Sequence, residues 1–280
     1  MIRAIVSMVI LLSGAAFVHA QTESECTRSM LKAATDSYIA AQEAGDLSKM
    51  ALAPKVKYIE NMSETTKDKG LWNTALPIAF HRSIYDVGRC KTFTEVIVTE
   101  GGHPYVIGTR LEVEDGKVTE IDSLVTDSDD WLFNAEDYLK YSKAEDWPVL
   151  HVDDRISRQD LIDAGNQYFD FVFLDKGIRP PWGTPCARLE GGAYTNPKNE
   201  DKDTCQIPGP LGELFITNRT FVVDEEMGTV NVFCRFGDST NGMPDSHLFR
   251  LVKGKYRWIH TLSVNLTGKP IVIPENKPKE

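Results

Sequence analysis

The sequence predicts an α+β fold built as two tandem cone-shaped domains, each a helix packed on a strongly curved antiparallel sheet. Three observations point there. Two segments repeat the same order of elements about 130 residues apart, a period far beyond the roughly 20–50 residues of a solenoid repeat. Each segment opens on a helix-period pattern. Each closes on two strand-like runs joined by a tight turn, Asp115-Gly116 and Lys253-Gly254.

The elements follow in order. Leu31, Ala34, Tyr38 and Ala41 recur at helical spacing, and Gly45-Asp46 stops that helix. A short strand over Val56 to Ile59 and a polar, poorly patterned stretch follow. Strands are then expected over Thr92 to Thr99, Tyr105 to Val113 and Lys117 to Val125. In the second copy Ser157 is an N-cap candidate, and Leu161, Ala164, Tyr168 and Phe171 repeat the helical pattern. Strands are expected over Ala187 to Glu190, Thr217 to Val223, Thr229 to Phe236, Ser246 to Val252 and Tyr256 to Val264. The segment 129–155 holds Trp131, Phe133, Tyr138 and Trp147, too aromatic for a loose linker, and reads as a partly helical connector. The expected organisation is a signal peptide over 1–20, a first domain over 21–128, the connector over 129–155, a second domain over 156–267 and a tail over 268–280.

The signal peptide is read from Met1-Ile2-Arg3, the apolar run Ala4 to Phe17 and the small-x-small site Val18-His19-Ala20. That run is shorter than the roughly 20 apolar residues of a membrane span. A secreted, soluble chain is expected, with no membrane partner. A net charge of −10 argues against nucleic acid, which needs a basic face. Secretion permits disulfides. Cys26 and Cys90 are the two cysteines of the first copy, and Cys186 and Cys205 bracket a loop of the second. The preferred pairing is Cys26–Cys90 and Cys186–Cys205, with Cys234 a buried, inert thiol between Phe233 and Phe236. Sequons occur at Asn61, Asn218 and Asn265, with Asn218 expected deep in a strand.

A helix followed by a bent sheet around a pocket resembles the nuclear transport factor two-like superfamily, which includes scytalone dehydratase, ketosteroid isomerase and SnoaL-like cyclases. Four strings are more specific. They are Pro104-Tyr105-Val106-Ile107-Gly108-Thr109-Arg110, Asp130-Trp131-Leu132-Phe133-Asn134-Ala135, Pro185 to Tyr194 (PCARLEGGAY) and Pro244-Asp245-Ser246-His247-Leu248-Phe249-Arg250. In these the chain is similar to a family of secreted, mostly fungal tandem proteins of unknown function. The resemblance implies a pocket rather than a particular reaction.

The chemistry-bearing residues cluster in the second copy. A two-residue turn at Lys253-Gly254 opposes Val252 with Lys255, Leu251 with Tyr256, Phe249 with Trp258 and His247 with His260. Side chains alternate across a strand. His247, Phe249, Leu251, Tyr256, Trp258 and His260 are therefore expected on one face, with the two imidazoles side by side at the end of an aromatic strip. A register error of one residue is expected to carry both rings to the other face together. The same register in the first copy opposes Val113 with Val118, Leu111 with Glu120 and Thr109 with Asp122, so the histidine pair is absent there.

His247 and His260 are the catalytic candidates, with Glu190 as orienter or base. Arg188 shares a strand face with Glu190, Tyr194 is a donor candidate, and Trp182 is a candidate cap over the pocket. Trp258, Phe249 and Tyr256 complete the expected binding wall. Two satisfied structural histidines, and a buried Arg188–Glu190 pair, are the competing readings. Asp245 and Glu190 are the carboxylates available for a metal, but no metal or other cofactor is expected. His81, His103 and the acidic run Asp127, Asp129 and Asp130 are weaker features, the last two reading as solvated turns.

The leading expectation is a cofactor-free lyase or isomerase that moves protons on a small aromatic or polyketide-like molecule. Ether or water elimination from phenolics is one version. A non-catalytic carrier of a hydrophobic molecule, and a structural or effector-type interaction protein, are the alternatives. A small hydrophobic or aromatic partner is expected in the first two, and a homodimer through the sheet faces is one open arrangement.

Overall fold

The computed structural model describes residues 26–174, 177–198, 200–207 and 214–267. The expected signal peptide (1–20) and tail (268–280) lie outside the described residues. The first half opens with α1 (Arg28–Ala44), capped by Thr27, whose hydroxyl accepts from the Met30 amide. Gly45 ends it at φ 60°, where a Cβ would lie 2.5 Å from the Ala75 nitrogen, so glycine is required. Then come β1 (Leu52–Glu60), β2 (Ser63–Thr65), β3 (Phe80–Asp86), β4 (Lys91–Val98), β5 (Tyr105–Glu114) and β6 (Lys117–Thr126). The connector holds α2 (Ala135–Ala144). The second half follows with α3 (Arg158–Leu174), β7 (Ala187–Glu190), β8 (Ala193–Tyr194), β9 (Ile216–Asp224), β10 (Thr229–Phe236), β11 (Met243–Val252) and β12 (Lys255–Ser263).

The two six-stranded sheets have the same order, β2-β1-β6-β5-β4-β3 and β8-β7-β12-β11-β10-β9. The tandem α+β plan is therefore what the chain adopts. The sheets are mixed rather than antiparallel throughout. β1 pairs with β6, and β7 with β12, in parallel, because each first strand is rejoined by the last after a long crossover. β3 falls in the stretch that the sequence pattern left unassigned.

Each helix lies on one side of its own sheet, and the other sides of the two sheets face each other. Phe93, Leu124 and Ile84 from the first sheet meet Phe233, Leu248 and Val222 from the second in one apolar cluster. These two sheet faces thus pack on each other inside one chain. The junction is reciprocal. Arg28, at the start of α1, holds Asp224 with two bonds of 2.9 Å. Arg158, at the start of α3, holds Asp86 with bonds of 2.6 and 2.7 Å. Each carboxylate also accepts a strand amide of the opposite half, Tyr85 to Asp224 and Val223 to Asp86. Bidentate guanidinium–carboxylate pairs of this kind fix orientation as well as energy.

Both disulfides form as expected, Cys26–Cys90 and Cys186–Cys205, and Cys234 is free and buried. They fit an oxidising environment. No helix among the described residues is long and apolar enough to cross a membrane. Asn218 is exposed rather than deep, and its amide donates to the Ser239 carbonyl.

Candidate functional site

The turn at Lys253-Gly254 has the two positive φ values, 52° and 70°, of the expected hairpin. Val252 opposes Lys255 and Leu251 opposes Tyr256, as expected. The register then shifts by one residue at a bulge. Arg250 opposes Trp258, Leu248 opposes His260, and His247 opposes Thr261. A bulge moves one strand past the other, so it separates the two histidines instead of carrying both to one face. The first half carries the same bulge, with Val113 opposite Val118 but Glu112 opposite Glu120 and Leu111 opposite Ile121.

His260 and Trp258 therefore leave the expected binding wall and lie on the side that meets the first half. There the His260 ring bridges two carboxylates, Nδ1 to Glu95 at 2.9 Å and Nε2 to Glu145 at 2.8 Å. Glu95 also accepts from the Tyr138 hydroxyl, and Glu145 accepts from Trp147 and Tyr194. Burial disfavours the charged ring, but Glu145 and Glu95 outweigh it and raise the His260 pKa to about 9. Burial likewise opposes ionisation of Glu95, and His260 reverses that, leaving its carboxyl below the usual range. Trp258 stacks on Trp147 with ring centres 5.5 Å apart. His260 is a doubly satisfied cation joining sheet one, the connector and sheet two. Tyr194 belongs to the same cluster, stacked on Tyr141.

His247 stays on the helix side of the second sheet. Its Nδ1 lies 2.5 Å from an Asp245 oxygen, and Asp245 is wholly buried. The Ser263 hydroxyl donates to the other Asp245 oxygen at 2.6 Å, and the Cys234 thiol reaches the first at 3.7 Å. A carboxylate oxygen accepts, so Nδ1 is the donor toward Asp245 and Nε2 is the ring nitrogen that does not face it. Nε2 makes no hydrogen bond among the described residues. Burial pushes the Cys234 thiol well above its usual range, and Asp245 adds to this, so Cys234 is inert as a nucleophile. The ring sits among Tyr168, Phe169, Phe236 and Phe249, with centres 4.8 to 6.1 Å away.

Phe249 and Tyr256 line this side as expected, and Trp182 packs on Tyr168, Phe171 and Tyr256. Glu190 lies on it too, in the row Glu190–Thr261–His247–Val232 across four strands. It does not touch the histidine. Its oxygens accept from Arg188 at 3.1 Å and from the Trp131 indole at 2.9 Å. Arg188 also donates to the Cys205 carbonyl. The Gly191-Gly192 pair, at φ 60° and 139°, lets the connector approach. A Cβ at either position would meet Trp131 or Asn134 backbone within 2.7 Å.

Sequence reasoning missed Glu95 and Glu145, and it saw Asp245 only as a carboxylate for a metal. It missed Thr261 and Ser263 altogether. The available signal was the register of the two copies. Ile107 is opposed by Val125 and Val96 in the first half, where Asp245 is opposed by Ser263 and Cys234 in the second. An apolar trio has become polar beside His247. Among the described residues no group of three His, Cys, Asp or Glu side chains is placed to hold a metal. His81 is exposed, and His103 stacks on Tyr105 at the surface. A cleft of about 540 Å³ between Glu43, Leu76, Ile78 and Glu100 opens in the first half, with none of these residues.

A family profile described as "Domain of unknown function (DUF8021)" matches residues 154–263. No curated protein matches the chain. Three solved structures are similar to about a third of it. A nuclear transport factor-2-like protein of unknown function from Burkholderia xenovorans LB400 is 17% identical, covering 35% of this chain and 84% of its own, with a TM-score of 0.29. A protein from Kribbella flavida DSM 17836, provisionally assigned as a ketosteroid isomerase, is 19% identical over 36% of this chain and 80% of its own, with a TM-score of 0.27. AclR from Streptomyces galilaeus, provisionally assigned as a hydroxylase, is 17% identical over 36% and 91%, also at 0.27. No reaction passes to this chain from likeness of this degree.

Proposed function

We propose that the helix side of the second sheet is an acid–base site of an extracellular lyase- or isomerase-type enzyme acting on a small aromatic or polyketide-like molecule. One observation carries the reading. A buried Asp245, held by Ser263, orients His247 inside an aromatic wall, at positions where the first half has only apolar or hydroxyl side chains. Replacing core methyls by a carboxylate and an imidazole costs stability. Such departures from a good core concentrate at functional sites.

In this reading His247 Nε2 takes a proton from the substrate carbon, and the imidazolium then returns it to a leaving hydroxyl or aryl ether. Asp245 fixes the tautomer and offsets the ring's charge during the transfer. A positioned base of this kind supplies about 100- to 10,000-fold in rate. His260 has no part in the chemistry, because both of its nitrogens are occupied by carboxylates.

The test is a panel of β-hydroxy aryl ketones and β-aryl ethers, followed by the ultraviolet band of the conjugated product. Wild type is expected to turn over at least one class. His247→Ala should lower that rate at least about 100-fold, with an unchanged circular dichroism spectrum. Equal rates in wild type and His247→Ala would reject the acid–base role. Retained tight binding with no turnover in any protein would instead favour a carrier.

A further inference from the structure

We infer that the Thr261 hydroxyl is a ligand-binding group, and that it receives the oxygen of an uncharged hydroxy- or oxo-aromatic molecule beside His247. The inference rests on the site proposed above and deepens it by naming a specificity residue and a ligand class. Thr261 is 3% exposed, and its hydroxyl has no hydrogen-bond partner among the described residues. A buried hydroxyl left unpaired is costly, and unsatisfied groups of this kind are few in native proteins. Thr261 stands directly opposite His247 on one neighbouring strand and opposite Glu190 on the other. Its side chain is thus on the helix side, between the two polar corners of the wall.

The first half shows what a closed version looks like. Ser123 occupies the matching position, opposite Thr109. Tyr38, Thr109 and Ser123 form a chain with two links of 2.8 Å, so the Ser123 hydroxyl is satisfied. In the second half His247 turns to Asp245, no such chain forms from Tyr168, and the Thr261 hydroxyl is left over among the described residues.

Charge pairing defines the ligand class. Arg188 is bonded to Glu190, His247 to Asp245, and Arg219, over the Phe169 ring, to Asp170 at 2.7 Å. Among the described residues both arginines at this wall already have a carboxylate. A carboxylate or phosphate ligand would enter beside Asp245 and Glu190 with neither arginine free to meet it. A neutral phenol or ketone carries the oxygen that Thr261 lacks and a ring for the aromatic wall.

The test uses 2-naphthol as the neutral probe and 2-naphthoate as the anionic one, with the ring resonances of His247 and His260 followed by NMR in the full chain. Saturable shifts of His247 but not His260 are expected with 2-naphthol, and binding at least tenfold weaker with 2-naphthoate. Thr261→Val should weaken 2-naphthol at least tenfold while leaving the melting temperature equal or raised, because a methyl replaces an unpaired hydroxyl. Thr229→Val is the control. It removes another unpaired buried hydroxyl, on the side facing the first half, and should leave binding unchanged. The inference is overturned if 2-naphthol gives no saturable His247 shift, if 2-naphthoate binds as well, or if Thr261→Val binds as wild type does. These readouts need no turnover. A wall that binds 2-naphthol but never catalyses would sink the enzyme reading and leave this one standing, and catalysis without dependence on Thr261 would do the reverse.

Discussion

On the helix side of the first sheet, Tyr38, Thr109 and Ser123 close on one another, with Ile107, Val96 and Val125 as apolar neighbours. On the helix side of the second, the matching positions hold Tyr168, His247 and Thr261, with Asp245, Cys234 and Ser263 beside them. Strand order, bulge and reciprocal Arg–Asp contacts are the same in both halves. The backbone is held constant, and the side chains that change lie on one wall. The first half solves that wall as a core, and the second gives up apolar contacts for a titratable pair. The lesson is that the frame supplies a wall of fixed shape, and what that wall presents depends on a few inward positions.

The sharpest way to break the comparison is to write the first half's answer into the second. His247→Thr restores the hydroxyl found at Thr109. Turnover in the assay above should fall at least about 100-fold, while stability in urea holds or rises. A fall in stability equal to the loss of a core residue would show that His247 is there for packing.

Next in size are the reciprocal pairs that make the halves equivalent. Asp86 and Asp224 are almost wholly buried, and their arginine partners are about 30% exposed. Asp86→Ala or Asp224→Ala should each cost about 2–3 kcal/mol, below the usual cost of a fully buried broken pair because the arginine keeps contact with water. Urea unfolding measures this. Very unequal losses would end the claim of equivalence.

The bridging histidine His260 has no counterpart in the first half, since Asp122 occupies the matching place opposite Arg110. Its folded pKa is raised from 6.5 to about 9. The proton is therefore held more tightly in the folded chain. The stabilisation is complete below about pH 6.5 and is lost as pH rises through about 9, on the order of 3 kcal/mol in total. His260→Gln should flatten that alkaline decline. An unchanged pH–stability curve between pH 6 and 10 would count against the bridging charge.

The smallest effect separates the two disulfides. Cys26–Cys90 closes a separation of 64 residues, and Cys186–Cys205 one of 19. Chain-entropy arguments make loss of the first costlier by about 1 kcal/mol. Paired Cys→Ser variants in thermal melts check the order.

Much of the frame was legible because it follows from local rules. Helical spacing marked α1 and α3, two-residue turns marked both last hairpins, and one cysteine pair per copy gave the disulfides. β3 was hidden because its alternation is weak, with exposed His81 and half-buried Arg82 and Ser83 beside buried Ile84. The candidate site was half legible. That His247, Phe249 and Tyr256 share a face was legible in the turn and the strand alternation. The pairing of His247 with His260 was not, because a bulge is one extra residue at Arg257 or Thr119, and neither position carries the glycine that often marks one. Glu95 was invisible for another reason. Its partner stands 165 residues away, and nothing in a strand reading Thr94-Glu95-Val96 says what lies across a sheet junction.

The reciprocal contacts also set a timetable for synthesis. Arg28 leaves the ribosome long before Asp224, and about 100 residues separate the end of the first sheet from that partner. At about 5–20 residues per second the wait is roughly 5–20 s. During that interval the face bearing Phe93 and Leu124 has no cover. The nascent first half is then an exposed, half-built interface, and the growing chain itself is the cap that arrives to quench it.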